Sequence, residues 1–152
     1  MGWALSIDTA DITRAKIVET QSRPLQDGEA RLSVRRFALT ANNITYAVFG
    51  EIMQYWAFFP AEGGGRLPVW GFADVTETTV DGLEVGERIY GYFPAADELI
   101  VQPGQITKGS FIDETAHRAS LPEAYNRYRR CRNDPGYDRE REPFQQALQP
   151  LF

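Results

Sequence analysis

The residues that could do chemistry gather in one stretch of the chain. Asn42, Asn43, Thr45 and Tyr46 bring several hydrogen-bond donors and acceptors together. Met53, Tyr55, Trp56, Phe58, Phe59 and Trp70 follow, around Pro60, the glycines at 63–65 and Pro68. Polar groups beside large apolar surfaces are what a small-molecule pocket needs. A turn followed by an apolar core is the competing reading, and composition alone does not separate the two.

Other candidates carry less. His117 is the single histidine and Cys131 the single cysteine, whereas zinc is normally held by several such residues. His117 reads better as a hydrogen-bonding group near a helix start. Gly63-Gly64-Gly65 runs into Arg66-Leu67-Pro68 without the Lys-Ser or Lys-Thr of a phosphate loop. No G-x-G-x-x-G follows a strand anywhere, so there is no dinucleotide fingerprint. Arg127, Arg129, Arg130 and Arg132 interleave with Tyr125 and Tyr128, a mixture that can bind nucleic acid. The acidic run Asp134, Asp138, Glu140 and Glu142 follows at once, which favours a solvated helix with ion pairs. These arginines would lower the pKa of Cys131 if its thiol were exposed.

The elements that must position these groups are mostly strands. The chain has 152 residues, 43% of them hydrophobic and 24% charged, which suits one globular domain with a real core. A formal net charge of -5 lacks the footprint of a nucleic-acid binder. No apolar run approaches the ~20 residues of a membrane span. One cysteine rules out an internal disulfide and points to the cytoplasm. Trp3, Leu5 and Ile7 alternate as a short edge strand, and residues 15–19 form a better one. Asp27-Gly28 signals a hairpin into 31–35, where Leu32 and Val34 face one side. Short strands continue over 72–80, 87–93 and 98–101, with Asp81-Gly82 as another turn. This pattern predicts a barrel or sandwich. Beyond Phe111 the character changes. Ser120 and Glu123 form a capping box that predicts a helix to about Arg132, and a second helix is expected over Pro143–Leu148. The apolar end Pro150-Leu151-Phe152 suggests passage into more protein.

A family resemblance narrows this reading. D-G-E-A-R-L-S-V-R-R-F-A-L-T-A-N-N-I-T-Y resembles the start of the GroES-like domain of medium-chain dehydrogenases/reductases. P-V-W-G-F-A-D-V-T-E-T-T-V-D-G-L-E-V-G-E-R-I-Y-G resembles that domain's later strand pair, with Gly86-Glu87-Arg88-Ile89 at its G-D-R-V box. The similarity covers residues 15–103. It is greater to the zinc-free branch, the quinone oxidoreductases and enoyl reductases. Asn42 stands at that branch's asparagine, and Thr45 stands where an aspartate is usual. The zinc branch fits less well: its catalytic cysteine falls among Thr40 to Asn42, and its G-H-E falls on Gly71-Phe72-Ala73. The tail from Ala116 is similar to an uncharacterised family distantly related to these reductases, in which a nucleotide-binding domain follows.

The resemblance implies a mainly β fold: a GroES-like, partly open antiparallel β-barrel over residues 1–112. A helical extension of one or two C-terminal α-helices over 113–152 would lead toward a nucleotide-binding domain. It implies the substrate-side domain of a zinc-independent, NADP(H)-dependent reductase acting on a carbonyl, quinone or enone. Asn42, Thr45 and Tyr46 would be catalytic, and Asn43, Tyr55, Trp56 and Trp70 would bind substrate. The cofactor would be held by a nucleotide-binding domain or second chain rather than by these residues, and homo-oligomers are a further possibility. The rival expectation is a non-catalytic binding or assembly module that uses the aromatic loop 51–70.

Overall fold

A computed structural model describes residues 1–148. The apolar end at Pro150-Leu151-Phe152 lies outside the described residues. The chain is mainly β, built around a nearly closed, seven-stranded antiparallel sheet with helices toward its C-terminus, as the strand pattern predicts.

The elements run in order as β1 (Gly2–Ile7), β2 (Ala15–Thr20), β3 (Ala30–Phe37), α1 (Ala41–Val48), β4 (Gly65–Arg66) and β5 (Pro68–Thr78). There follow β6 (Arg88–Pro94), β7 (Glu98–Val101), β8 (Pro103–Gly104), β9 (Ser110–Asp113), α2 (Glu123–Asn126), β10 (Arg127–Arg130) and α3 (Glu142–Leu148). The large sheet has the order β7-β3-β5-β6-β10-β9-β8. Its two edge strands, β7 and β8, are separated in the chain by Gln102 alone. That residue donates its backbone N–H to Asp113 and accepts one from Glu114. The edges are therefore covalently joined, and the sheet curls almost into a barrel. A small sheet of order β2-β1-β4 lies beside it.

Three expectations change. β1 is the middle strand of the small sheet, not an edge, because it pairs with both β2 and β4. Gly28 does take positive φ, 82°, as an Asp-Gly turn requires. It joins no hairpin, however, since β2 pairs with β1 while β3 pairs with β5 and β7. The long helix expected from Ser120 to Arg132 is a four-residue helix followed by a strand. Residues 127–130 alternate exposed and buried, with Tyr128 and Arg130 inward. Tyr128 is fully buried between Phe93 and Phe111, and its hydroxyl donates to the Tyr92 carbonyl at 2.6 Å. Burial of that ring outweighs the local helix signal. The segment beyond residue 112 thus places a strand inside the sheet, between β6 and β9.

The barrel interior holds Leu32, Val69, Ala73, Val75, Ile89 and Phe93. Strands β5 and β6 are buried on their outer side too, where Trp70, Phe72, Tyr90 and Tyr92 belong to separate aromatic clusters. This is why both strands read as nearly continuous apolar runs. Helix α1, the turn at Tyr55–Phe58, α2 and α3 pack near this outer face, and the predicted site residues lie there.

Candidate functional site

Helix α1 starts at the paired asparagines. Thr40 caps it in extended backbone. The Asn43 side chain turns back, accepting the Thr40 N–H at 2.6 Å and donating to the Pro68 carbonyl at 2.8 Å. Both ends of its buried amide are therefore occupied, and it fastens α1 to the head of β5. Asn42 and Thr45, three residues apart on α1, are exposed.

Tyr46 points inward and meets Trp70 from β5. The Trp70 indole N–H donates to the Tyr46 hydroxyl at 3.1 Å. Tyr92 stands against both rings, edge-on to Tyr46 with centroids 5.6 Å apart and 5.1 Å from Trp70. Burial raises the Tyr46 pKa above its ordinary value, and the Trp70 hydrogen bond offsets only part of that rise. Tyr92 is raised much further, chiefly by burial, and its hydroxyl finds no partner among the described residues. Both phenols are therefore protonated at neutral pH.

Asn42, Asn43, Tyr46 and Trp70 surround one small pocket, with Thr40 at its rim and Gln146 of α3 across it. Its volume is about 10 Å³, room for roughly one water. Thr45 is not part of this pocket. Tyr55 joins the aromatic cluster instead, with its ring 4.8 Å from that of Tyr46. Trp56 lies elsewhere, sandwiched between Gly50 and Gly65, where a side chain at either glycine would collide with the indole. Of the seven residues expected at the site, the pocket thus unites four.

α3 is held over this region by charge. Glu142 is buried and accepts from Arg88 at 2.8 and 2.7 Å and from the Tyr137 hydroxyl at 2.6 Å. Burial works to raise its pKa, but these bonds outweigh that effect and hold it below the ordinary carboxylate value. On the other side of the pocket the surface is apolar. Ile44 and Val48 of α1 are 63% and 54% exposed, and Phe49, Ile52 and Met53 continue the patch. Apolar residues clustered in this way mark surfaces that meet something.

A second cavity was not foreseen. It encloses about 300 Å³ and is floored by Phe58 and Phe59, members of the same aromatic cluster as Tyr46. Arg66, His117 and Arg118 line it. His117 sits in a 3-10 turn and donates through Nε2 to the Phe58 carbonyl at 3.1 Å, the hydrogen-bonding role expected of it. The missed signal was Arg118, which reads as a surface charge in sequence yet is 1% exposed. Cys131 is buried, and burial pushes its thiol up to about 12, so the exposure that activation by the arginines requires is absent. Among the described residues no three His, Cys, Asp or Glu side chains come together in a metal-holding group. Nor, among them, is any helix long and apolar enough to cross a membrane.

The geometry is that of a barrel-like β domain carrying a small pocket of polar and aromatic side chains on its outer aromatic face. The family described as "Protein of unknown function (DUF2855)" matches residues 37–152, about three quarters of the chain, and the chain belongs to it. The match includes the whole pocket and begins at the end of β3. No curated protein matches the chain.

Proposed function

We propose that this chain is the substrate-side part of a zinc-independent, NADP(H)-dependent reductase of the medium-chain type. Its substrates are carbonyl, quinone or enone compounds, and it works with a nucleotide-binding domain or a second chain. One observation carries the reading. The Tyr46 hydroxyl accepts from Trp70 at 3.1 Å, while its own hydrogen has no acceptor among the described residues. A phenol that accepts one hydrogen bond donates another more strongly. Aimed at a substrate oxygen, it would stabilise the negative charge that develops there on reduction. The Asn42 amide at the pocket rim adds a second donor. Thr45 offers a hydroxyl on the same exposed side of α1.

The small volume supports a half-site. A drug-sized ligand needs ~300–1,000 Å³, so a second wall would have to complete the pocket. The adjoining apolar patch from Ile44 to Met53 is where such a wall would rest. The dinucleotide itself does not fit the residues present. Every strand pairing among the described residues is antiparallel, so no strand–helix–strand crossover presents a helix N-terminus to a pyrophosphate.

A second reading, a binding or assembly module using residues 51–70, draws on the 80% exposure of Ile52. Titrating the chain with NADPH and following tryptophan fluorescence tests the main reading. The expectation is no saturable binding by the chain alone. Tight binding would overturn the half-site reading.

A further inference from the structure

The cavity lined by the Phe58–Phe59 pair has no part in the proposed reductase site. Its volume of about 300 Å³ lies at the lower end of the range for small-molecule pockets. The floor is apolar, formed by Phe58, Phe59, Leu99 and Pro94. The walls are charged, and not every charge is paired. Asp113 is paired with Arg118 at 2.8 Å, and Glu98 is paired with Arg31 at 3.0 Å. The Arg118 guanidinium is further occupied by Asn126, Tyr128 and the Tyr125 carbonyl, and it lies 5.1 Å from the Phe59 ring centroid. Arg118 is therefore a structural cation.

Arg66 is different. Its backbone is fixed by the pairing of β4 with β1, Arg66 opposite Ser6. Arg66 is half-buried and lines the cavity, and its guanidinium makes no hydrogen bond or ion pair among the described residues. Burial without a counter-charge pulls its pKa below the ordinary value. A partly desolvated, unpaired guanidinium is costly to keep unless something supplies an anion. Its planar fork matches a carboxylate with two parallel hydrogen bonds. Asp97, Glu98 and Asp113 stand in the same walls, and Asp97 has no cationic partner among the described residues. Those carboxylates oppose a doubly charged head such as a phosphate monoester and leave room for a monoanion.

We infer that this cavity binds a small monocarboxylate with an apolar body, its carboxylate on Arg66 and its body against Phe58, Phe59 and Leu99. The ligand class follows from the single free fork above an aromatic floor.

Calorimetric titration with 3-phenylpropionate and with its neutral amide tests this directly. The acid should bind at least tenfold more tightly than the amide, and added salt should narrow the gap. Arg66→Gln should abolish the preference while leaving amide binding unchanged, and Arg66→Lys should restore it in part. The fold should tolerate both changes, because the Arg66 side chain holds nothing in place, and unchanged thermal unfolding checks this. Equal affinity for acid and amide, an unchanged preference in Arg66→Gln, or no saturable binding of the acid would each overturn the inference.

Discussion

The indole N–H of Trp70 donates to the hydroxyl of Tyr46 across 3.1 Å, tying strand β5 to helix α1. The two residues are 24 apart in sequence, Tyr46 before the aromatic loop 51–70 and Trp70 at its end. Their contact gives Tyr46 a fixed orientation and leaves its proton free. Tyr46→Phe should leave a half-buried indole N–H without its acceptor, at a cost of about 1 kcal/mol. Urea unfolding measures the loss, and faster solvent exchange of the Trp70 indole proton localises it. Tyr92→Phe should behave oppositely. It removes a buried hydroxyl that has no partner, so stability should hold or rise.

Glu142 ties α3 to the sheet through Arg88, with Arg36 a further 3.6 Å contact. Glu142→Gln leaves the half-buried Arg88 with Asp74, 2.8 Å away, as its remaining counter-charge, so the loss should be about 2 kcal/mol rather than that of a fully buried pair. Since Gln146 of the same helix borders the Tyr46 pocket, loosening α3 should open that pocket. Amide exchange in 142–148 should quicken well before the barrel strands exchange, and acrylamide should quench Trp70 more strongly.

Glu29 supplies a pH handle remote from the site. Two hydrogen bonds from Arg23, both at 2.7 Å, lead the effect that holds its carboxyl down at about 2; burial opposes them, and the Gln26 N–H assists. Because the folded pKa lies below the unfolded one, its stabilisation is full above about pH 4.5 and fades as pH falls toward 2. Arg23 is half-exposed and screened by water, so the contribution is on the order of 2 kcal/mol rather than the full linkage value. Glu29→Gln should be less stable than the parent at pH 7 and should lose less between pH 4.5 and 2, as measured by thermal unfolding across that window.

The thiol of Cys131 is 3% exposed and pushed up to about 12 by burial. A thiol reagent at pH 8 should leave it unmodified in the folded protein and modify it stoichiometrically in urea. Rapid labelling under native conditions would contradict the packing around β10.

Much of the barrel was legible because its strands alternate or run apolar between clear turn signals. The paired asparagines stand out as candidate polar groups, but nothing local separates their roles: Asn43 is tied to backbone on both sides and Asn42 is exposed. The strand at 127–130 is hidden by the Ser120–Glu123 capping-box pattern, which the structure does not form: α2 starts after Pro122 with no side-chain cap. Only long-range contacts, above all Tyr128 between Phe93 and Phe111, reveal that its alternation is the stronger pattern. Pairing partners were likewise invisible, since β2 turns back to β1 rather than onward to β3. The Arg66 cavity joins β1, β4, β7 and the 116–118 turn, and no local spacing announces such an assembly.

On the proposed function, Tyr46, set by Trp70, donates to a reducible substrate oxygen. Amide and indole chemical-shift mapping with menadione as the probe tests it most directly. Concentration-dependent shifts are expected at the Trp70 indole N–H and at the backbone amides of 42–46, much weakened in Tyr46→Phe. Shifts confined to the Arg66 cavity, or shifts at Trp70 that persist unchanged in Tyr46→Phe, would contradict it.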